Sequence, residues 1–344
     1  MRARKITLVA LLTGVLLTGC TGGDNSAGTP SVSAAPSPVG SGQSAVYEQV
    51  VDRVLRSVVQ ITTRQGLGSG IVFDSKGHIV TNAHVVGHSK HFQVTTATSN
   101  KPVDATLVAS YPPGDLAVIK VSGTLSEPPA MFADSGKLEV GQEVLAMGSP
   151  LGLSGSVTNG IVSAVGRTVR EPAGEGSPST TISDMIQTSA AINPGNSGGA
   201  LVDVNSRVIG IPTLAATSQQ DGAAAPGIGF AISSNMVMRI ANQIIRTGSV
   251  TSSGRAKLGV TVRSVLDSDF QPAGAGVVGV ESGGPAAKAG IRSGDVITAL
   301  NGTAITSPGD LTTALAERKP GDTVKVTVDR DSDNRTFRVR LGEQ

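Results

Sequence analysis

The 344-residue chain carries a serine held between glycines, Gly195-Asn196-Ser197-Gly198-Gly199, just ahead of an apolar run. Glycine at 195 lets the backbone turn without a Cβ clash, Gly198 and Gly199 leave room for a substrate, and N–H groups around Gly195 and Ser197 can converge on a developing oxyanion. A serine hydroxyl is a weak nucleophile at its own pKa, so Ser197 needs a base and a group that orients the base. Of the four histidines, His84 ends a β-rich run, Gly77-His78-Ile79-Val80-Thr81-Asn82-Ala83-His84, where a tight turn would expose it. His78, His88 and His91 sit among polar neighbours and read as surface residues. Asp115 enters the apolar run Leu116-Ala117-Val118-Ile119, a place from which a buried carboxylate can hold an imidazole N–H.

The chain order is His, Asp, Ser, as in chymotrypsin-like enzymes. Thr81-Asn82-Ala83-His84-Val85-Val86, Asp115-Leu116-Ala117-Val118 and Gly195-Asn196-Ser197-Gly198-Gly199 resemble the three catalytic motifs of the HtrA (Deg) family of serine endopeptidases. The similarity continues through Ile228-Gly229-Phe230-Ala231-Ile232 and a PDZ-like C-terminal segment, over roughly residues 46 to 344. It implies a mainly β fold, a chymotrypsin-like pair of six-stranded barrels with the active site between them, followed by an α+β PDZ domain. It also implies catalytic roles for His84, Asp115 and Ser197, an oxyanion hole at Gly195 and Ser197, and a substrate pocket at Ile192, Ile228, Gly229 and Phe230. No acid lies in those pocket segments, and an apolar pocket leaves a Lys or Arg head group unpaired. A homotrimer is a further implication. Ala200 stands where the family often has proline.

The elements that must position these residues follow from pattern. Apolar residues Tyr47, Val50, Val51, Val54, Leu55 and Val58 recur at helical spacing. A first series of β-like runs covers 57–62, 68–73, 78–82, 92–95 and 116–121, and a second covers 143–147, 156–165, 185–188, 200–204, 208–211 and 229–232. Residues 167–181, rich in Gly, Pro, Ser and Thr, read as a surface loop, and 233–247 as the helix that closes the protease domain. The expected domains are a signal peptide at 1–19, a flexible linker at 20–43, a protease domain at 44–247, a linker at 248–256 and a PDZ domain at 257–344. Lys257-Leu258-Gly259-Val260 resembles a PDZ carboxylate-binding loop, with Leu258, Gly259 and Val260 as its carriers. Gly284-Pro285-Ala286-Ala287-Lys288-Ala289-Gly290 resembles a bacterial HtrA PDZ segment.

Met1 to Cys20 has a basic start, an apolar run from Ile6 to Leu17, and Leu17-Thr18-Gly19-Cys20 at its end. This matches a lipoprotein signal whose Cys20 is lipidated, placing the protein on the extracytoplasmic face of a membrane; an ordinary secretory signal and an uncleaved anchor are the alternatives. Cys20 is the only cysteine, so no internal disulfide is possible. The net charge of +2 falls to −1 when Arg2, Arg4 and Lys5 leave with the signal, and at 2% aromatic content there is neither a basic field nor a stacking platform for nucleic acid. No cluster has metal-ligand spacing, and no cofactor is expected. The expected partners are unfolded or misfolded protein substrates at the protease and C-terminal peptides at the PDZ domain. The competing classes are a non-catalytic chaperone and a PDZ scaffold on a protease fold.

Overall fold

The amphipathic spacing that begins at Tyr47 lies in helix α1 (Ser41–Val54), which seats Val50 and Val54 in the core. The computed structural model describes residues 41–64, 66–99, 101–149, 156–171, 180–193, 195–217 and 224–344. Cys20, the signal segment and most of the expected tether lie outside them. Six strands follow α1: β1 (Val58–Thr62), β2 (Leu67–Val72), β3 (His78–Thr81), β4 (His91–Thr96), β5 (Val103–Tyr111) and β6 (Leu116–Val121). They close into an antiparallel barrel in the order β1-β2-β3-β6-β5-β4. The second barrel closes in the order β10-β11-β12-β9-β8-β7, from β7 (Glu143–Gly148), β8 (Ser156–Glu171), β9 (Thr180–Thr188), β10 (Ala200–Asp203), β11 (Val208–Thr217) and β12 (Ala224–Ser233). Alternate Val, Ile and Leu residues point inward along each strand, so aliphatic side chains fill both interiors.

Strand β5, the 167–181 segment and His78 differ from expectation. Strand β5 is absent from the expected runs because its pairing with β6 shifts register between Leu107 and Ala109, which breaks the period-two pattern. The expected loop at 167–181 is partly strand. Arg167 pairs with Met185 and Val169 with Ile182, and fully buried Ile182 anchors the pair; residues 172–179 lie outside the described residues. His78 is buried, at 8% exposure, because the turn from Asp74 folds a carboxylate over it: Asp74 Oδ2 lies 2.7 Å from His78 Nδ1. His88 and His91 are exposed, as their polar neighbours suggest.

Between β3 and β4 lies a one-turn helix, α2 (Ala83–Val86), and after β12 comes α3 (Ser234–Thr247). Ser233 Oγ caps α3 by accepting from Met236 N–H, Gly248 ends it at φ 71°, and the stripe Met236, Val237, Ile240, Ala241 and Ile244 is buried against both barrels. Residues 251–256, expected within a linker, are pinned. The Gln243 side chain accepts from Thr251 and Ser252 N–H and donates to Ser252 O at 2.7 Å.

The C-terminal domain comprises β13 (Ala256–Lys257), β14 (Val260–Leu266), β15 (Pro272–Val280), α4 (Pro285–Ala289), β16 (Val296–Leu300), β17 (Thr303–Ala304), α5 (Pro308–Ala316), β18 (Thr323–Arg330), β19 (Asp333–Arg340) and β20 (Gly342–Glu343). Its main sheet runs β14-β15-β16-β18-β19, and β20 pairs with β13. An α+β domain with its own core thus follows two barrels, as expected. Among the described residues no helix is long and apolar enough to cross a membrane.

Candidate active site

The ends of β3 and β6 set two of the site residues. β3 stops at Thr81, opposite Ala117 of β6, and the chain turns through Asn82 into α2, leaving the His84 side chain 36% exposed. Just before β6, Asp115 takes a left-handed conformation at φ 50°, which aspartate tolerates better than most residues, and is 4% exposed. Its carboxylate accepts from His84 N–H at 3.0 Å and lies 2.9 Å from His84 Nδ1 through Oδ2. Asn82 Nδ2 donates to Asp115 O at 3.0 Å and holds the two turns together.

Ser197 sits at the mouth of the second barrel, in the turn before β10. Its Oγ donates to Thr213 O at 3.4 Å, and the Thr213 hydroxyl donates to Asp115 Oδ2. Thr213, on β11, therefore joins the serine to the aspartate and donates to the same Oδ2 that lies 2.9 Å from His84 Nδ1. The Ser197 turn is clamped from below. Ser69 N–H donates to Ser197 O at 3.1 Å, while Ser69 Oγ donates to Gly195 O at 2.6 Å and accepts from Ser149 N–H at 2.8 Å. The approach requires glycine: a Cβ at Gly198, whose φ is 81°, would lie 2.3 Å from Ser69 O. Asn196 Nδ2 donates to Ala191 O at 3.0 Å, and Asn196 Oδ1 accepts from Asn193 N–H at 3.1 Å. Among the described residues, the N–H groups of Gly195 and Ser197 have no acceptor inside the chain, so both remain available to a ligand.

Of the expected pocket residues, Ile192 and Gly229 come together: a Cβ on Gly229 would meet Ile192 Cγ1 at 2.4 Å. Strand alternation puts Ile228 and Phe230 on the other face of β12 from Gly229. Ile228 is 38% exposed, and Phe230 packs against the core cluster that includes the stripe of α3. Sequence reasoning did not single out Ser69 or Thr213. Both are small hydroxyl residues inside strands, and only the closed barrels bring them to the site.

In the C-terminal domain Leu258 is 2% exposed, Gly259 has φ 77°, and their carbonyls accept from Ala286 and Glu281 N–H at 3.0 Å each. A cavity of about 770 Å³ opens beside this loop, between β14 and α5, lined by Val260, Val262, Leu311 and Leu315. Pro112 and Pro113, three and two residues ahead of Asp115, reach the same cavity. The Arg255 guanidinium donates to Pro113 O and to Thr181 O, the latter at 2.8 Å.

Two family models match the chain: a trypsin-like peptidase domain over residues 68–211 and a PDZ domain over 256–341. Serine protease PepD of Mycobacterium tuberculosis is 40% identical over 331 residues, covering 91% of this chain and 68% of that protein. Serine protease Do-like HtrA of Lactobacillus helveticus is 40% identical over 291 residues, covering 80% of this chain and 68% of the relative. Among solved structures, the HtrA-type protease AlgW with a tripeptide superposes with a TM-score of 0.58 at 33% identity, covering 87% of this chain and 97% of the other. A serine endoprotease from Yersinia pestis gives 0.56 at 32% identity, with coverage of 87% and 98%.

Proposed function

We propose, for a chain that belongs to the HtrA family of trypsin-like serine endopeptidases, that Ser197 is the nucleophile, His84 its general base and Asp115 the group that orients His84. The observation that carries this reading is the contact of the buried Asp115 carboxylate with His84 Nδ1 at 2.9 Å. That contact keeps a proton on Nδ1 and leaves Nε2 to accept the Ser197 proton as Oγ attacks a peptide carbonyl. The N–H groups of Gly195 and Ser197 take the oxyanion. His84 then gives its proton to the leaving amine, and water resolves the acyl-enzyme by the same route. Ile192 against Gly229 favours small or medium aliphatic residues before the cut, such as Val, Ala or Ile.

In this reading the protein is exported, cleaves misfolded or regulatory proteins outside the cytoplasm, and is held at the membrane through lipidated Cys20. It assembles as a homotrimer. The protease domain spans 44–247 and the PDZ domain 257–344, where the loop at Leu258, Gly259 and Val260 captures substrate or effector C-termini. A relative from Pseudomonas putida named "Probable periplasmic serine endoprotease DegP-like" supports the extracytoplasmic location. The test is to digest an unfolded protein with wild type and Ser197→Ala and to map the cut bonds. Cleavage after Val, Ala or Ile by wild type alone supports the reading. Equal cleavage by Ser197→Ala overturns the mechanism, and cuts mainly after Lys or Arg overturn the pocket.

A further inference from the structure

A second cleft, of about 740 Å³, adjoins the cavity beside the Leu258–Val260 loop, sharing Arg255 and Ala316 with it, and lies between the β8–β9 hairpin, α3, the pinned segment at 251–256 and the turn after α5. Its cations come from both domains: Arg167, Arg239 and Arg255 on one side, Arg318 and Lys319 on the other. Two carboxylates, Asp184 and Glu317, share the lining, so the positive charge is in excess by three. Among the described residues none of the five cations is in an ion pair. Asp184 instead accepts from Ser233 Oγ at 2.7 Å. Glu343, outside the lining, feels the charge of Arg239 and accepts from Ser252 Oγ and Gly254 N–H.

The guanidiniums share one lining. The Arg239 guanidinium closes on Gly254, its Cζ 2.9 Å from where a Cβ would stand. Arg255 is fixed by two carbonyls, which leave its charge uncompensated. Arg318 Nε is buried and has no acceptor in the chain. A buried donor without a partner costs free energy, and like charges gathered across a domain boundary add to that cost unless an anion fills the space.

We propose that this cleft binds a phosphorylated anion that bridges the two domains. Guanidinium forks match phosphate oxygens two at a time, an excess of three charges suits a group carrying two or more negative charges, and the volume falls in the range of small-ligand sites. Because Arg255 also holds Pro113 O, two residues ahead of Asp115, an occupant ties the C-terminal domain to the turn that carries that carboxylate.

The test is calorimetry on the full chain at fixed salt, with inorganic pyrophosphate in one arm and phosphatidylglycerol vesicles in the other, comparing wild type with Arg239→Gln, with Arg318→Gln/Lys319→Gln, and with Lys288→Gln as an exposed basic control. These residues make no ion pair whose loss would unfold the protein, and melting curves check that. The expected result is saturable binding in at least one arm, weakened about tenfold or more by either cleft variant and unchanged by the control. Pyrophosphate binding identifies a soluble phosphate as the ligand class, and vesicle binding alone identifies a lipid headgroup. No binding in either arm, or an equal loss in Lys288→Gln, overturns the proposal.

Discussion

Replacing Ser69 by alanine removes one hydroxyl that serves two partners: it donates to Gly195 O at 2.6 Å and accepts from Ser149 N–H at 2.8 Å. Ser69 is fully buried and Ser149 is 5% exposed, so the Ser149 N–H is left without an acceptor; Gly195 is half-buried and recovers part of its loss from water. At about 1–3 kcal/mol for each buried group stripped of its partner, the folding loss is about 2–3 kcal/mol. That is a fall in Tm of about 4–12 °C for a domain of this size. The catalytic effect is separate. The Gly195 carbonyl, once released, no longer fixes the turn that aims the Gly195 and Ser197 N–H groups. Full loss of one oxyanion donor costs about 10²–10³ in kcat, so a misaimed turn costs about 10- to 100-fold, with KM little changed. The assay is steady-state cleavage of a chromogenic peptide well below the lowered Tm, alongside a melting curve. A lower Tm with kcat within twofold of wild type would refute the reasoning and leave Ser69 as packing alone.

Thr213→Val removes the hydroxyl on Asp115 Oδ2 and keeps the side-chain volume, so kcat/KM should fall about tenfold or more while the fold holds; an unchanged value would mean that His84 alone orients Asp115. In the C-terminal domain the Asp295 side chain is 1% exposed and holds Arg330 through both oxygens. Burial pushes its carboxyl up, but hydrogen bonds from Arg330 and from Arg292 N–H outweigh this and keep it below the ordinary 3.8. Its stabilisation is therefore complete above 3.8 and lost as pH falls through the lower folded value, so Asp295→Asn should flatten the acid limb of that domain's melting profile. A peptide ending in a free apolar residue should bind the chain more tightly than its C-terminal amide, and equal binding in calorimetry would remove carboxylate capture from the account.

What was legible in the sequence was local. His84, Asp115 and Ser197 each sit in a short motif whose neighbours fix the turn that presents the side chain, and the strong apolar runs of β6 and β10 read directly as strands. What was hidden depends on distant pairing. Ser69 meets Gly195 across 126 positions and Thr213 meets Asp115 across 98, and no pattern around either hydroxyl marks it as different from other strand Ser and Thr residues. The bulge in β5 erased its alternation, and His78 read as a surface residue because its burial depends on a turn that folds Asp74 over the ring. The Gly229 neighbourhood was partly legible: the strand was, but alternation separates Phe230 from Ile192.

The central claim is that Ser197 is the one activated nucleophile. Intact-mass and peptide mapping after a brief exposure of the full chain to a fluorophosphonate tests it most directly, since that reagent reacts with a serine only where a base and an oxyanion site act together. The account predicts a single adduct on the peptide containing Ser197, absent in Ser197→Ala and strongly slowed in His84→Ala, with proteolysis lost in step. Adduct formation on another residue, or proteolysis that persists in Ser197→Ala, would contradict it.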